Sequence, residues 1–440
     1  MTNREENPWV HRFDGLDRGL IKSRLITNQK PLQNLHKLPL ETACEELELA
    51  LASVFIPTEQ VVDLVEKIVG LGRAHSSIHY KSKRSFIRDC YSHEKPFPKE
   101  IFPYCLTGLA GIGKSVLLSS LQRVLPKPGE VEIDGYSNFP LDLLWHISIP
   151  GKLPISGLLA RLLGNDFQKL HNKKMDIPEL IDKCRWKAHM SGACIICIDE
   201  SQFLTSSTTA NAQIAELFRT FSHIGLPLIF SANYSLGHRL YRRPQEDRQR
   251  FLSNPWFLLP DTPNSDDWVD TVKGYKAVYP GGFGFIPEED ATLLHGWSAG
   301  NKRILKQLLV LSYRRSRGEG KSVSLSQIKS AFMSTEFSAS RKDVNDMNEL
   351  FITGRAASKD LECPFELPKS RIQALQEALK KERRANVSQS FIESTMSKGE
   401  QEIVEQMTKA VAEKPKADVS PIGGRKKRTV ASLREAEDLI

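Results

Sequence analysis

From Thr107 to Val116 the chain reads TGLAGIGKSV, and Gly108, Gly113, Lys114 and Ser115 fall at the spacing GxxxxGK[ST]. Gly111 adds another glycine inside that frame. These residue types in this pattern suit the holding of phosphate. Glycines let successive backbone N–H groups curl around phosphate oxygens, and a helix starting near Lys114 aims its positive dipole end at them. Lys114 reaches the terminal phosphates, and the Ser115 hydroxyl is placed to ligate Mg²⁺. With Ile112 and Val116 completing the loop and its junction with the helix, this stretch is the expected cradle for ATP.

A second stretch, CIICIDESQFL, is an apolar strand ending in Asp199 and Glu200. Beside a phosphate loop, Asp199 is expected to hold Mg²⁺, usually through water. Glu200 is expected to polarise the attacking water as general base. Two solvated acids after a buried strand are the plain alternative, commoner for one acid than for two. A third stretch, LPLIFSANYS, brings Asn233 to the end of the next strand. There a polar side chain can hold the attacking water or feel the γ-phosphate, or simply make a turn. Asp199 also enters the nucleotide-binding set, and Ser115 and Asp199 form the metal set.

Beyond Asn233 come Arg239, Arg242, Arg243, Arg248 and Arg250. An arginine offered to a neighbouring subunit's nucleotide stabilises transition-state charge, worth roughly 10³ to 10⁵ in rate. Five cannot all do this. Arg248 and Arg250 are the preferred pair, and the others suit a surface or a DNA-facing role.

Positioning these groups requires strands that end where they sit. YCLTG, LLWHISI, CIICID, LPLIFSA and PWFLL are strand candidates. KSVLLSSLQRVL, ISGLLARLLGNDF, PELIDKCRWKAHM and NAQIAELFRTFSHIG have helical periodicity between them. That alternation predicts an α/β core with a mostly parallel sheet covered by helices. The expected organisation is an N-terminal helical region over 1–95, the core over 96–265, a small helical lid over 266–345, and a polar partner-binding region over 346–440. From about 387 the last of these has the composition of a disordered tail. In the first region ETACEELELALASVF and TEQVVDLVEKIVGLG read as helices, with Thr58 an N-cap for the second. Lys81, Lys83, Arg84 and Arg88 lie close together, which suits either a nucleic-acid contact or a solvated face.

The composition, 40% hydrophobic and 26% charged over 440 residues, is that of an ordinary soluble protein of two or three domains. No apolar run approaches the roughly 20 residues that span a bilayer. The opening MTNREENPWVHRF has no apolar signal core, so a cytoplasmic protein without a membrane partner is expected. Lys and Arg total 61 against 53 Asp and Glu, a net charge of +8 that permits a polyanionic partner. Cys194 and Cys197 form a CxxC inside an apolar run. As strand residues three apart they should face opposite ways and pack in the core instead of gripping zinc.

The order of phosphate loop, tandem Asp-Glu, polar sensor and downstream arginines resembles an AAA+ ATPase. The stretches TGLAGIGKS, IDESQFL, IGLPLIFSAN and the arginines before FLSNP, with ENPWVHRF and VEKIVGLGRAHSS upstream, are more closely similar to the TnsC/TniB family of transposon target-selection ATPases. The resemblance covers roughly residues 5 to 310, and departs where SAN replaces the Gly-Thr that often ends the sensor strand. It implies an ATP-dependent homo-oligomer, a ring or helical filament, that encircles double-stranded DNA and recruits a transposase together with target-selection proteins. The family grips DNA through elements lining the pore. Here the candidates that the resemblance implies are SIPGKLPIS, with Lys152, and TSSTTAN, with Thr208 and Thr209, each against the plain reading of a solvated loop. In the lid, Ile304, Leu305, Leu308 and Leu309 make an apolar helix face. Arg303 stands where a second sensor could reach the phosphates, or where an arginine is simply solvated. A replication-initiator or helicase-loading AAA+ ATPase would share these motifs. A signalling NTPase scaffold is a third class, but one that would bring a sensor or repeat array not found in this chain.

Overall fold

The computed structural model describes residues 7–92, 94, 96–97, 100–133, 135–149, 154–164, 175–199, 210–317, 322–368 and 373–381. The described helices and strands belong to a compact unit that ends at Lys380. The polar C-terminal segment 382–440 lies outside the described residues.

The chain enters through short helices α1 (Pro8–His11) and α2 (Arg18–Leu25), then α3 (Leu40–Ser53), α4 (Glu59–His79) and α5 (Lys83–Cys90). Thr58 caps α4 as expected, its hydroxyl accepting from the Val61 N–H at 3.4 Å. The core follows as β1 (Tyr104–Thr107), α6 (Lys114–Val124), the hairpin β2 (Gly129–Ile133) and β3 (Tyr136–Leu141), β4 (Leu144–Ser148), α7 (Ile155–Leu163), α8 (Ile177–Met190), β5 (Ile195–Asp199), α9 (Ala210–Ser222), β6 (Leu228–Ala232), α10 (Tyr234–Tyr241), α11 (Gln245–Leu252) and β7 (Pro255–Phe257). In and just past the stretch expected to form the lid, 266–345, lie α12 (Asp266–Val278), α13 (Pro287–Gly296), α14 (Lys302–Ser316), α15 (Leu325–Met333) and α16 (Ser338–Thr353).

Strands β4-β5-β6-β1-β7 form one sheet in that order, each neighbouring pair parallel. The five strand runs read from the sequence are these five strands. The central β5 and β6 are buried at every position; helices cover both faces, and a strand covered twice reads as a near-continuous apolar run, interrupted here by Asp199 and Ser231. One face, with Ile196, Ile198, Leu228 and Phe230, packs against α7 to α11. The other, with Ile195, Cys197, Ile229 and Leu106, packs against α6, α2 and α4.

The N-terminal segment is divided between two cores. Helix α4 covers the sheet, whereas Ala43, Cys44, Leu47 and Leu51 of α3 join Trp268, Leu305, Leu308 and Leu309 in the lid core. A strap over 361–367 closes the unit. Leu361 and Cys363 pack against the lid core and Phe365 against the sheet core. His238 Nε2 lies 2.8 Å from the Glu362 carbonyl oxygen, and a Cβ on Gly237 would stand 2.8 Å from Pro364 Cγ.

Cys194 and Cys197 are both fully buried, in agreement with a packing role. The expectation that they face opposite ways is corrected. Cys194 precedes the first residue of β5, outside the alternation, and both thiols sit in the same apolar cluster. Among the described residues no group of three or more His, Cys, Asp or Glu is arranged to hold a metal. No described helix is long and apolar enough to cross a membrane.

Candidate active site

The loop from Gly108 to Gly113 joins β1 to α6. Gly111 and Gly113 have φ of +79° and +115°, a region that side chains with a Cβ avoid. At Gly108 the constraint is spatial, because a Cβ there would stand 2.3 Å from the Leu258 carbonyl oxygen. Gly113 is the N-cap of α6 and supplies no side-chain acceptor. The first-turn N–H groups therefore point out of the helix end with no side-chain cap from Gly113, as phosphate oxygens require.

Lys114 is 9% exposed, and its Nζ donates to the carbonyls of Gly108 and Leu109, both at 2.8 Å. Burial pushes its pKa down to about 8, with Asp199 opposing and Arg303 adding to the fall. A cation held this dry gains from an incoming anion.

The loop opens on a cleft of about 650 Å³, within the range of small-molecule sites. Gly111, Ile112, Gly113, Lys114, Ser115 and Val116 line it, with Ser231 and Asn233 from the end of β6 and Arg303 from the lid. Val54, Ile56, Val61, Tyr275, Val310 and Leu311 add apolar lining, alongside the charged Glu48, Lys306 and Arg314. A lining that combines cationic and apolar side chains suits the triphosphate and the base of a nucleotide. The cradle glycines, Lys114 and the bare end of α6 fit ATP, and the Ser115 hydroxyl beside them suits Mg²⁺.

The lid touches the phosphate loop directly. Asn301 caps α14, accepting from the N–H groups of Arg303 and Ile304 at 3.1 and 3.3 Å, while its Nδ2 donates to the Ala110 carbonyl at 2.8 Å. A Cβ on Gly111 would stand 2.7 Å from Asn301 Oδ1. Gly111→Ala should therefore combine about 1–3 kcal/mol of backbone strain with a displaced lid, and weaken ATP binding in a titration. Gly135, at φ +80° with open space around it, supplies the control. Gly135→Ala carries the same kind of strain and should bind ATP normally. Equal binding by both variants would show that the loop is not the phosphate site.

Asp199 ends β5 at 6% exposure, and the Ser231 hydroxyl donates to its Oδ1 at 2.5 Å. Asn233 lines the cleft but also caps α10, its Oδ1 accepting from the Leu236 N–H at 3.2 Å and from Ser235 Oγ at 3.0 Å. Arg248 and Arg250 lie on α11 and do not line the cleft. Arg250 is committed to Glu100 at 2.7 Å. Arg248 reaches the Tyr241 carbonyl at 3.4 Å and lies 5.5 Å over the Tyr241 ring. Arg243 and Arg219 both bind Asp247. Glu200, Lys152, Thr208 and Thr209 lie outside the described residues.

Sequence reading did not single out Ser231, Lys306 or the Val54–Ile56 wall. Lys306 lines the cleft 5.7 Å from the Tyr275 ring, its pKa lowered by burial and by the neighbouring Lys302 and Arg303. Lys302 is paired with Asp261 at 3.3 Å. The apolar run SVFIP was the available signal for the wall, but nothing local says what it faces.

Residues 103–240 match the family model described as AAA domain. No curated protein sequence matches the chain significantly. Similar solved structures include the Aeropyrum pernix Orc1 protein in complex with DNA, at 16% identity over 67% of each chain with a TM-score of 0.38. Another is domain III of the Thermotoga maritima replication initiation protein DnaA, at 16% identity over 57% of this chain and 88% of that one, TM-score 0.32. A third is Cdc6p from Pyrobaculum aerophilum, at 12% identity over 76% of this chain and 89% of that one, TM-score 0.36. Strand order, phosphate loop and family match agree: residues 103–240 are similar to an AAA domain, and the core has the P-loop AAA+ fold.

Proposed function

We propose that this chain is an ATP-dependent, DNA-binding regulator of DNA transposition, which assembles on duplex DNA and recruits a transposase. The observation that carries the ATPase part is the junction at Gly111, where phosphate loop and lid cap meet through Asn301. Whatever seats phosphate in that loop also sets the lid. The transposition part rests on the motifs shared with the TnsC/TniB family.

In this reading Lys114 and the loop N–H groups hold the β- and γ-phosphates, and Arg303 closes on them from the lid. Ser115 and Asp199 would hold Mg²⁺, which would supply charge neutralisation at those phosphates. Glu200 draws the proton from the attacking water, and Asn233 orients it through the amide. Hydrolysis yields ADP and phosphate. Arg248 or Arg250 serves a neighbouring subunit's cleft. Arg248, without a carboxylate partner in the described ion pairs, is the freer of the two, since Arg250 must first leave Glu100. Lys152, Thr208 and Thr209 face DNA in the assembled oligomer.

The test is ATP-dependent binding to plain duplex DNA. Binding should require ATP or a non-hydrolysable analogue and ignore base sequence. With six to ten phosphate contacts it should lose about 10³- to 10⁵-fold in affinity between 50 and 200 mM salt. Equal affinity without nucleotide, or a shallow salt slope, would sink the DNA reading. On the assembled complex, retention of a transposase and not a replicative helicase separates transposition from replication initiation.

A further inference from the structure

Asp199 and Ser231 follow the last paired residues of β5 and β6, Ile198 and Phe230, and so stand side by side on adjacent parallel strands. On the other flank the β4 register sets Ser148 opposite Asp199. Along each strand Asp199 and Ser231 share the side of Cys197 and Ile229, the sheet face that packs on α6. Ser231 is 2% exposed, lines the cleft, and donates its hydroxyl proton to Asp199 Oδ1 at 2.5 Å.

We infer that Ser231 is a positioning residue: its hydroxyl holds the Asp199 carboxylate in one orientation, with Oδ1 occupied and Oδ2 left to serve the metal. The inference rests on the ATPase reading and deepens it. Rotation about the last bond of an aspartate is soft and nearly two-fold, so an unheld carboxylate samples both faces. The charges of Asp199 and Lys114 act on each other. A carboxylate that swung to Lys114 would withdraw a phosphate contact and a metal ligand together. The Ser231 bond keeps the two groups on separate tasks.

Groups that orient a metal ligand are typically worth 10- to 100-fold in metal affinity or activity. The test uses the full chain with ADP and Mn²⁺, reading bound Mn²⁺ by electron paramagnetic resonance and ADP affinity separately in EDTA. Ser231→Ala should weaken Mn²⁺ binding by about 10-fold or more and leave ADP affinity in EDTA unchanged. Ser231→Thr keeps the hydroxyl on a strand-favouring side chain and should restore Mn²⁺ binding. Thermal unfolding midpoints accompany all three proteins. Mn²⁺ binding by Ser231→Ala at the parent affinity would overturn the inference. So would a matching loss of ADP affinity in EDTA, or a folded Ser231→Thr that fails to restore the metal. A parent chain that binds neither ADP nor Mn²⁺ would overturn the ATPase reading itself, and the inference with it.

Discussion

Glu200→Gln should bind ATP nearly as the parent does and hydrolyse it roughly 10²-fold or more slowly, the scale on which a general base acts. Lys114→Ala should fail at the earlier step. A hydrogen bond to a charged group contributes about 1.5–3 kcal/mol, so ATP affinity should fall by about 10- to 150-fold. The two variants separate binding from chemistry within one cleft. Lys114 also ties the Gly108 and Leu109 carbonyls together, so its loss should loosen the loop as well. Calorimetric titration with ATP and steady-state phosphate release read the two effects. Hydrolysis by Glu200→Gln at the parent rate would remove Glu200 from the role of base, and unchanged ATP affinity in Lys114→Ala would remove the loop from the role of cradle.

Acid should unfold this protein early. His75, His189 and His295 are 4%, 3% and 0% exposed. His75 lies against the rings of His79 and Phe97, and His189 is stacked on Tyr80 and Phe86. His295 packs edge-on to Trp268 with Nε2 2.8 Å from the Asp261 carbonyl oxygen. Burial lowers their pKa values to about 3, 4 and 4, against about 6.5 in an unfolded chain. Above pH 6.5 both states hold these rings neutral, and they add no pH dependence. Below it the unfolded chain takes up protons that the native state refuses, and stability falls until the native values are reached near pH 4. Each ring contributes about 1.4 kcal/mol per pH unit, so three give about 4 kcal/mol per unit, against a typical total of 5–15 kcal/mol. Urea midpoints should therefore drop steeply between pH 6.5 and 5. His189→Phe, which keeps an aromatic ring in the stack, should flatten the slope by about one proton. A urea midpoint level from pH 7 to 5 would contradict the assignment.

The readable parts of this fold were those where burial leaves a pattern. Strands β5 and β6 are covered on both faces and so print as near-continuous apolar runs. The phosphate loop prints because its geometry admits few residue types at Gly108, Gly111 and Gly113. The hairpin β2–β3 left no such trace, since Gly129, Glu130 and Glu132 of β2 are exposed and only Val131 and Ile133 are buried. Ser231 was silent for a different reason. Its meaning lies in a neighbour 32 positions away, and a strand does not announce which strand lies beside it. The same holds for Arg250, whose partner Glu100 is 150 residues distant, and for the apolar wall of the cleft. Local chemistry was legible. Pairings that depend on register and long-range closure were not.

The strap over 361–367 has a consequence for recombination among related chains. A crossover placed at the edges of the AAA-domain match, 103 and 240, would graft a segment whose sheet still needs Phe251 and Phe365 from one side and Trp9 and Phe86 from the other. Gly237 and Pro364 must also arrive together, because a side chain at position 237 meets the proline ring. Chimeras joined at those edges should therefore misfold unless both flanks come from the same parent. The unit that can be inherited whole runs from the first helix to the strap, and selection on either end is felt in the middle.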